Sequence, residues 1–304
     1  MLKWRLISAS VIIGGLLGLL HLDFHYPLGA AGVWLLPLAV TASAMIVYEL
    51  LDLWKERPDC PPRWPAMAGA PLTVLAASVP VWWEVSGATY PSDCPIGRLG
   101  WPLLGLTVGI GLAFIGEMRR YQQPGTSTGS VALSVLAIVY AGLLLSFLVN
   151  LRLLHGSRWG MAYLLSVIII VKLSDTGAYF VGKQLGKRKM APVLSPGKTL
   201  EGALGAFLAA LVAALLCYGW LVPALVGRDQ PRGPLWGWLL LAVLVTISGM
   251  IGDLAASLLK RDAGRKDSSR WLPGLGGVVD ILDSLLFAAG PAYYFFAAGI
   301  TGGP

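Results

Sequence analysis

Long apolar runs, separated by short polar segments, extend from one end of the chain to the other. One helix needs roughly 20 apolar residues to cross a bilayer core. Nine runs approach that length: 5–20, 28–50, 66–83, 97–116, 131–150, 159–181, 201–223, 235–256 and 277–300. The third is the weakest, because Pro71 and Pro80 interrupt it. The pattern predicts an all-α, polytopic integral membrane protein with about nine transmembrane helices.

The positions of the Lys and Arg residues predict the orientation of these helices. With nine spans and a cytoplasmic N-terminus, 17 of the 23 cations fall in cytoplasmic segments, five fall outside and Lys172 lies within a span. Positive charge favours the cytoplasmic side of a membrane. We therefore expect a multi-pass protein of the cytoplasmic (inner) membrane. Its two most basic loops, 182–200 and 257–276, would share the cytoplasmic face and build one site.

Composition agrees with this class of protein and excludes others. Only 13% of the 304 residues are charged, and the mean hydropathy is +0.70, whereas a soluble domain carries about 25% charged residues. The net charge of +7 is spread thinly, so we expect no nucleic acid partner. The first apolar run lacks a small-residue cleavage site and is expected to be retained as a helix. Three scattered cysteines favour neither a disulfide framework nor a zinc site: Cys60, Cys94 and Cys217.

Five of the 16 acidic residues fall in or at the edges of apolar spans, and all five belong to the last third of the chain. They are Asp175, Glu201, Asp253, Asp280 and Asp283. The remaining acids are assigned to solvated loops. A charge within the membrane costs a few kcal/mol, roughly, and usually marks a working site. The structural alternative is that each acid pairs with a nearby cation and locks two helices together.

The spacing of three of these acids suits a metal ion. Asp280 and Asp283 are three residues apart on a predicted helix and share one face. Asp253 ends the preceding span and enters from the same side. Mg²⁺ usually takes one or two carboxylates together with substrate phosphates. Four cations between these acids are predicted to bind phosphate: Lys260, Arg261, Arg265 and Lys266.

The other basic loop contains Ser195-Pro196-Gly197-Lys198-Thr199, followed by Glu201-Gly202. It is not a Walker A motif, because Pro192 stands where that motif requires glycine. We expect a short glycine turn at the start of a helix, with backbone N–H groups, a lysine and hydroxyls that cradle an anion.

In this order, the blocks resemble those of the phosphatidate cytidylyltransferase (CDP-diacylglycerol synthase) family. The resemblance is detailed over residues 172–290 and only hydropathic over the first half. The matching C-terminal residues are Ser257, Lys260, Arg261, Lys266, Asp267, Leu272, Pro273, Gly274, Gly276, Gly277, Asp280 and Asp283. Asp175-Thr176-Gly177-Ala178-Tyr179 and the Ser195 block resemble the upstream motifs. Two positions depart from the family pattern, since Leu275 replaces a histidine and Ile281 an arginine.

The resemblance implies that CTP and phosphatidate react to give CDP-diacylglycerol and pyrophosphate. It implies Mg²⁺ bound by Asp253, Asp280 and Asp283, with a second, monovalent cation such as K⁺. The implied catalytic residues are these three acids and Lys260. The implied substrate-binding residues are Asp175, Ser195, Gly197, Lys198, Thr199, Ser257, Arg261, Lys266, Asp267, Gly274, Gly276 and Gly277. Besides CTP and phosphatidate, the implied partners are the lipid bilayer and, by analogy, a second copy in a homodimer.

Residues 1–150 would then form a scaffold of transmembrane helices that could carry the dimer interface, and residues 151–304 the catalytic region. Two other functions stay open. A CTP-dependent polyprenol or phytol kinase, or a related CDP-lipid synthase, would use the same acids and cations. An ion-coupled transporter is less favoured, because its charged groups usually lie near the bilayer midplane in paired broken helices. Since the metal ligands and most cations survive the two departures, we favour an active, divergent member.

Overall fold

The computed structural model describes residues 2–91, 93–272 and 274–303, and the side chains among these from residue 7 onward. Pro273 of the family pattern therefore lies outside the described residues. Helices dominate, because a segment in lipid must satisfy its backbone hydrogen bonds internally. The α-helices are α1 Leu2–His25, α2 Leu36–Leu53, α3 Arg63–Ala77, α4 Val79–Val85, α5 Gly97–Met118, α6 Ser127–Ile138, α7 Leu144–Leu153, α8 Gly156–Leu185, α9 Leu200–Leu216, α10 Val222–Val226, α11 Leu235–Asp262 and α12 Val278–Ala297.

Within the described part of the chain, eight helical segments are long and apolar enough to cross a membrane. The pair α3–α4 raises the number to nine if it is one broken span, since its helices meet at a bend of 50°. The bend falls next to Pro80, the second residue of α4, because proline has no N–H for the preceding turn. The prediction of an all-α, polytopic membrane protein with about nine spans is confirmed.

Two regions differ from the predicted pattern. The second span begins at Leu36 and not near residue 28, because Gly29 and Gly32 adopt positive φ and turn the chain first. The predicted glycine turn at Ser195–Thr199 is wrong: these residues form strand β2, which pairs antiparallel with β1, Lys189–Ala191. Two π-helical turns, Val139–Leu143 and Cys217–Leu221, interrupt long helices.

The chain divides into two compact units. The first comprises residues 1–153 and 263–281. In this unit α3 and α5 approach closely through glycines, since a Cβ built on Gly105 would lie 2.8 Å from Cα of Thr73. Small residues of this kind allow helix backbones to pack in a membrane, where burial from water contributes little.

The second unit comprises residues 154–262 and 282–304. Helices α8 and α9 pack backbone to backbone here, since a Cβ on Gly177 would lie 2.5 Å from the carbonyl oxygen of Gly205. Helix α11 packs equally closely on the part of α12 in this unit, because Gly252 abuts the backbone carbonyl of Asp283. The functional division into residues 1–150 and 151–304 stays a prediction.

Candidate functional site

The second unit brings a lysine of the hairpin to a carboxylate of α11. Lys198, near the end of β2, places Nζ 2.7 Å from Oδ2 of Asp253. The two form an ion pair without the alignment of a hydrogen bond. Their side chains are 19% and 39% exposed. The pair is therefore open on one side, where a ligand can reach it.

Asp283 lies beside this pair on α12. It is 6% exposed, and its Oδ1 accepts a hydrogen bond from its neighbour, Ser284 N, at 2.6 Å. Because Gly252 lets α11 and α12 approach closely, the residue after it, Asp253, is brought to the level of Asp283. Asp253 and Lys260 lie close enough to interact electrostatically with the carboxylate of Asp283.

A third carboxylate, Asp175, joins from α8. Lys172 lies one turn earlier on that helix, with its Nζ 3.4 Å from Oδ2 of Asp175. Asp253 and Lys198 also act on Asp175. We call the six charged residues of this unit the carboxylate–lysine cluster: Lys172, Asp175, Lys198, Asp253, Lys260 and Asp283.

Sequence reasoning identified five members of this cluster and missed Lys172. The signal was present, because Lys172 is the one cation in the interior of a predicted span and lies three residues before Asp175. A lysine in that position pairs with an acid on the same helix face. The cluster therefore contains three lysines and three aspartates.

The hairpin residues around Lys198 serve mainly to hold it in place. Thr199 is buried and caps α9, since its Oγ1 accepts from Gly202 N at 3.0 Å. Glu201 accepts backbone N–H groups of the chain entering the hairpin, from Lys187 and Arg188. These contacts account for both residues structurally. Substrate binding by Thr199, by half-buried Ser195 and by exposed Gly197 stays a prediction.

The first unit holds the other predicted residues, in the loop before α12. Oδ2 of Asp280 accepts three hydrogen bonds, from Ser268 N at 2.9 Å, Ser268 Oγ at 2.8 Å and Gly277 N at 2.9 Å. The last is half of a capping box, in which an acid in the first helical turn bonds back to the N–H before the helix. One oxygen of Asp280 is thus committed to the fold.

The loop glycines have steric reasons that do not involve a ligand. Gly276 has φ of +87°, and a Cβ there would lie 2.5 Å from Oδ2 of Asp280. Gly277 abuts the carboxylate of Glu49 and the hydroxyl of Ser268, which leave no room for a side chain. Gly274 also has positive φ, +82°. Their predicted contact with phosphate stays untested beside these structural roles.

The remaining predicted residues lie at different places. Arg265, one of the predicted phosphate-binding cations, pairs with Asp52 of α2 at 2.7 Å. Lys266 and Asp267 are exposed in the same loop of the first unit. In the second unit, Arg261 donates from Nε to the carbonyl of Leu194 in the hairpin at 3.4 Å. Also in that unit, Ser257 is half-buried on α11.

The donor set in the second unit suits Mg²⁺. Across the described residues, no three His, Cys, Asp or Glu side chains form a ready metal-binding group. Mg²⁺ does not require one, because it commonly takes one or two carboxylates and completes its shell with waters and substrate phosphates. Asp253 and Asp283 offer two such carboxylates. The residues present therefore fit the ion.

The prediction that buried acids are confined to the last third of the chain is wrong. Asp23, Glu49 and Glu117 are buried in helices of the first unit, with exposed fractions of 0%, 0% and 6%. Glu49 lies inside the predicted span 28–50, so its position already carried the signal. Burial of acids is thus not confined to the predicted catalytic region.

The fold and the cluster define a polytopic membrane protein that brings carboxylates and lysines of its helices together with a lysine of the β1–β2 hairpin. The chain belongs to the cytidylyltransferase family, whose model matches residues 3–298. It is 42% identical over 142 residues to a phosphatidate cytidylyltransferase of Haemophilus influenzae, covering 47% of this chain and 48% of that protein.

Two further relatives have the same name. The protein of Bacillus subtilis is 39% identical over 168 residues, which cover 55% of this chain and 58% of the relative. The protein of Brucella suis is 44% identical over 149 residues, which cover 49% and 52%. The chain spans about half the length of these curated relatives.

Proposed function

We propose that this protein is a phosphatidate cytidylyltransferase, which converts CTP and phosphatidate into CDP-diacylglycerol and pyrophosphate. The observation that carries this proposal is the carboxylate–lysine cluster, in a chain that belongs to the cytidylyltransferase family. Relatives named for this activity support the choice of substrates. They do not favour a lipid kinase.

The reaction asks the protein to bring two polyanions together. The phosphate of phosphatidate is already an anionic nucleophile near neutral pH, so a general base is not required. An oxygen of that phosphate attacks the α-phosphorus of CTP, and the bond from the α-phosphorus to pyrophosphate breaks. The remaining task is positioning and charge neutralisation, as in other transfers of this kind.

The lysines of the cluster are suited to bind the phosphates. Lys198 neutralises Asp253 in the structure at 2.7 Å, and its side chain, 19% exposed, can turn so that Nζ meets an arriving triphosphate. Lys260 is nearly buried, 9% exposed, on the same helix as Asp253. A lysine with little access to water binds phosphate more strongly than one in bulk solvent.

Asp253 and Asp283 are the residues of the second unit that would hold Mg²⁺. When bound, a divalent ion neutralises the triphosphate and stabilises charge on the leaving pyrophosphate. Asp280 as a third ligand, and a monovalent cation such as K⁺, stay predictions of the resemblance. A role for Asp280 would require its second oxygen, because Oδ2 already accepts three hydrogen bonds.

The substrates also suggest where the reaction takes place. CTP is dissolved in the cytosol, whereas the acyl chains of phosphatidate remain in the bilayer. A site at the cytoplasmic surface of the inner membrane, in the orientation predicted by the Lys and Arg residues, would serve both. A homodimer is part of the proposal by resemblance alone.

The test is a product assay on the purified protein in lipid nanodiscs, with radiolabelled CTP, Mg²⁺ and phosphatidate. We expect a CMP-bearing lipid and an equal amount of pyrophosphate, with both products lost on chelation and restored by Mg²⁺. Release of CDP with a phosphorylated alcohol would show a kinase instead. No turnover under conditions where a curated relative is active would overturn the proposal.

A further inference from the structure

We propose that Glu49, in the second helix of the chain, is a positioning residue that holds the loop before α12 and thereby the carboxylate of Asp280. Neither the motifs nor the resemblance pointed to Glu49. The inference rests on the proposed function only for its effect on turnover, since the contacts that carry it belong to the first unit.

Glu49 is fully buried and faces four donor groups of one short segment, of which the Ser268 hydroxyl is shared with Asp280. Its Oε1 accepts from Ser269 Oγ at 2.8 Å and from Val278 N at 2.8 Å. Its Oε2 accepts from Ser268 Oγ at 2.9 Å and from Val279 N at 2.9 Å. Each carboxylate oxygen therefore binds one backbone N–H and one hydroxyl.

The two backbone donors are the first N–H groups of α12. Such groups have no partner within their own helix and need an acceptor when buried. A negative charge at this end is also favoured by the helix dipole. Glu49 meets both needs from another helix, α2, and so fixes where α12 begins.

Glutamine cannot replace this carboxylate. Its amide has one oxygen and one NH₂ group, whereas the fixed backbone donors Val278 N and Val279 N face both ends of the side chain. In either orientation the NH₂ group would meet an N–H group. A buried donor left without an acceptor is costly, so the change tests the charge and the acceptor pattern at almost constant volume.

Ser268 links Glu49 to Asp280. Its Oγ lies 2.9 Å from Oε2 of Glu49 and 2.8 Å from Oδ2 of Asp280, so the two carboxylates share its one hydroxyl proton. Its backbone N–H also binds Asp280. Gly277 lies against both Glu49 and Ser268. Displacement of Glu49 would therefore release the two residues that orient Asp280.

Neighbours of Glu49 on α2 anchor the same loop. The ring of Tyr48 contacts that of Trp271 at 5.0 Å between centroids, and Asp52 pairs with Arg265 at 2.7 Å. Residues 48, 49 and 52 thus bind the loop at successive points from 265 to 279. This gives a helix of the predicted scaffold a direct part in shaping the predicted site.

The first experiment measures the loop without any reaction. Hydrogen–deuterium exchange is followed for peptides covering residues 268–282 in wild type, Glu49→Gln and the matched control Glu117→Gln. Glu117 is also a buried carboxylate of the first unit, but its described contacts are with Ser130, Arg120 and Ser127 and not with the loop. We expect at least about tenfold faster exchange in Glu49→Gln, because the amide would leave a buried backbone N–H of α12 without an acceptor. Unchanged exchange there would overturn the proposal.

The second experiment measures turnover at varied Mg²⁺ and CTP. In Glu49→Gln we expect the Mg²⁺ concentration for half-maximal rate to rise about tenfold, with a smaller change in the KM for CTP and none of this shift in Glu117→Gln. A lower rate with unchanged Mg²⁺ dependence would contradict a role through Asp280.

Two milder variants keep the proposal testable if Glu49→Gln does not fold. Ser269→Ala removes one donor from Oε1 and should speed loop exchange moderately, while Ser268→Ala also removes the link to Asp280 and should in addition shift the Mg²⁺ dependence. Equal behaviour of the two would overturn the proposed link. If the wild type makes no CDP-diacylglycerol yet Glu49→Gln loosens the loop, the proposed function fails while the positioning of the loop stands.

Discussion

Two ion pairs of almost equal length differ in how accessible they are to solvent and ligands. Arg152 Nε lies 2.6 Å from Asp23 in the first unit, and Lys198 Nζ lies 2.7 Å from Asp253 in the second. The side chains of the first pair are 2% and 0% exposed, whereas those of the second are 19% and 39% exposed. The pairs differ in access and not in distance.

The two aspartates also differ in their hydrogen-bond partners. Asp23 also accepts Gly32 N at 2.9 Å and Trp34 N at 3.3 Å, so its lone pairs are used within the fold. Asp253 has no such backbone donors described, and its lysine sits on a hairpin. A charge inside a membrane protein is therefore not by itself a sign of chemistry. The informative observation is a charge whose partner can be exchanged for a ligand.

The largest loss of stability is expected from breaking the buried pair of Asp23 and Arg152. Asp23→Asn would take from the buried guanidinium of Arg152 the carboxylate with which it pairs, and breaking a buried pair costs about 3–5 kcal/mol of stability. We expect a large fall in the thermal unfolding midpoint in nanodiscs, with the activity per folded molecule unchanged.

The double variant Asp23→Asn with Arg152→Met is the control. Replacing a buried pair by neutral groups is often close to neutral, so this protein should recover much of the lost stability. If the single variant were as stable as wild type, the buried pair would not stabilise the fold, contrary to what its burial indicates.

For the partly exposed pair of Lys198 and Asp253, we expect a large loss of activity and a small loss of stability. Asp253→Asn removes a predicted metal ligand, and we expect the rate of CDP-diacylglycerol formation to fall about 100-fold or more, the scale for losing one group that stabilises developing charge. Stability should fall less than in Asp23→Asn, because Asp253 is 39% exposed and water can reach this pair. Rate and unfolding midpoint measured on one preparation give both results. Full activity would remove Asp253 from the site.

These contrasts show which parts of the fold and of the candidate site could be predicted from the sequence. The spans followed from hydropathy, because the bilayer fixes helix length, and Asp253 and Asp283 followed from charge in an apolar run. Strand β2 was not foreseen, because Ser-Pro-Gly-Lys-Thr has the composition of a turn and its partner strand, Lys189–Ala191, is too short to show an alternating pattern. The role of Glu49 also depends on contacts with residues more than 200 positions away, which periodicity does not report.

Substitution of Lys198 tests whether the lysine of this pair binds CTP. In Lys198→Met we expect the KM for CTP to rise about tenfold, since a hydrogen bond to a charged group contributes about 1.5–3 kcal/mol. The matched control is Lys189→Met, an exposed lysine on the partner strand of the hairpin, which should keep the KM of wild type. A similar rise in both variants would mean that the hairpin attracts CTP by general charge and not through the pair with Asp253.

The smallest effect is expected at a position where this chain lacks the family's polar residue. Leu275 lies in the tight turn before α12, where its N–H donates to the carbonyl of Leu272 at 2.9 Å. Because Glu49 and Asp280 hold this turn through other residues, Leu275→His should alter the rate by no more than about threefold, the range of substitutions that disturb no core contact. Parallel assays with phosphatidate of two chain lengths would separate rate from substrate choice. A rise above tenfold would show that the histidine of the family pattern supplies a hydrogen-bond donor that this chain lacks at Leu275.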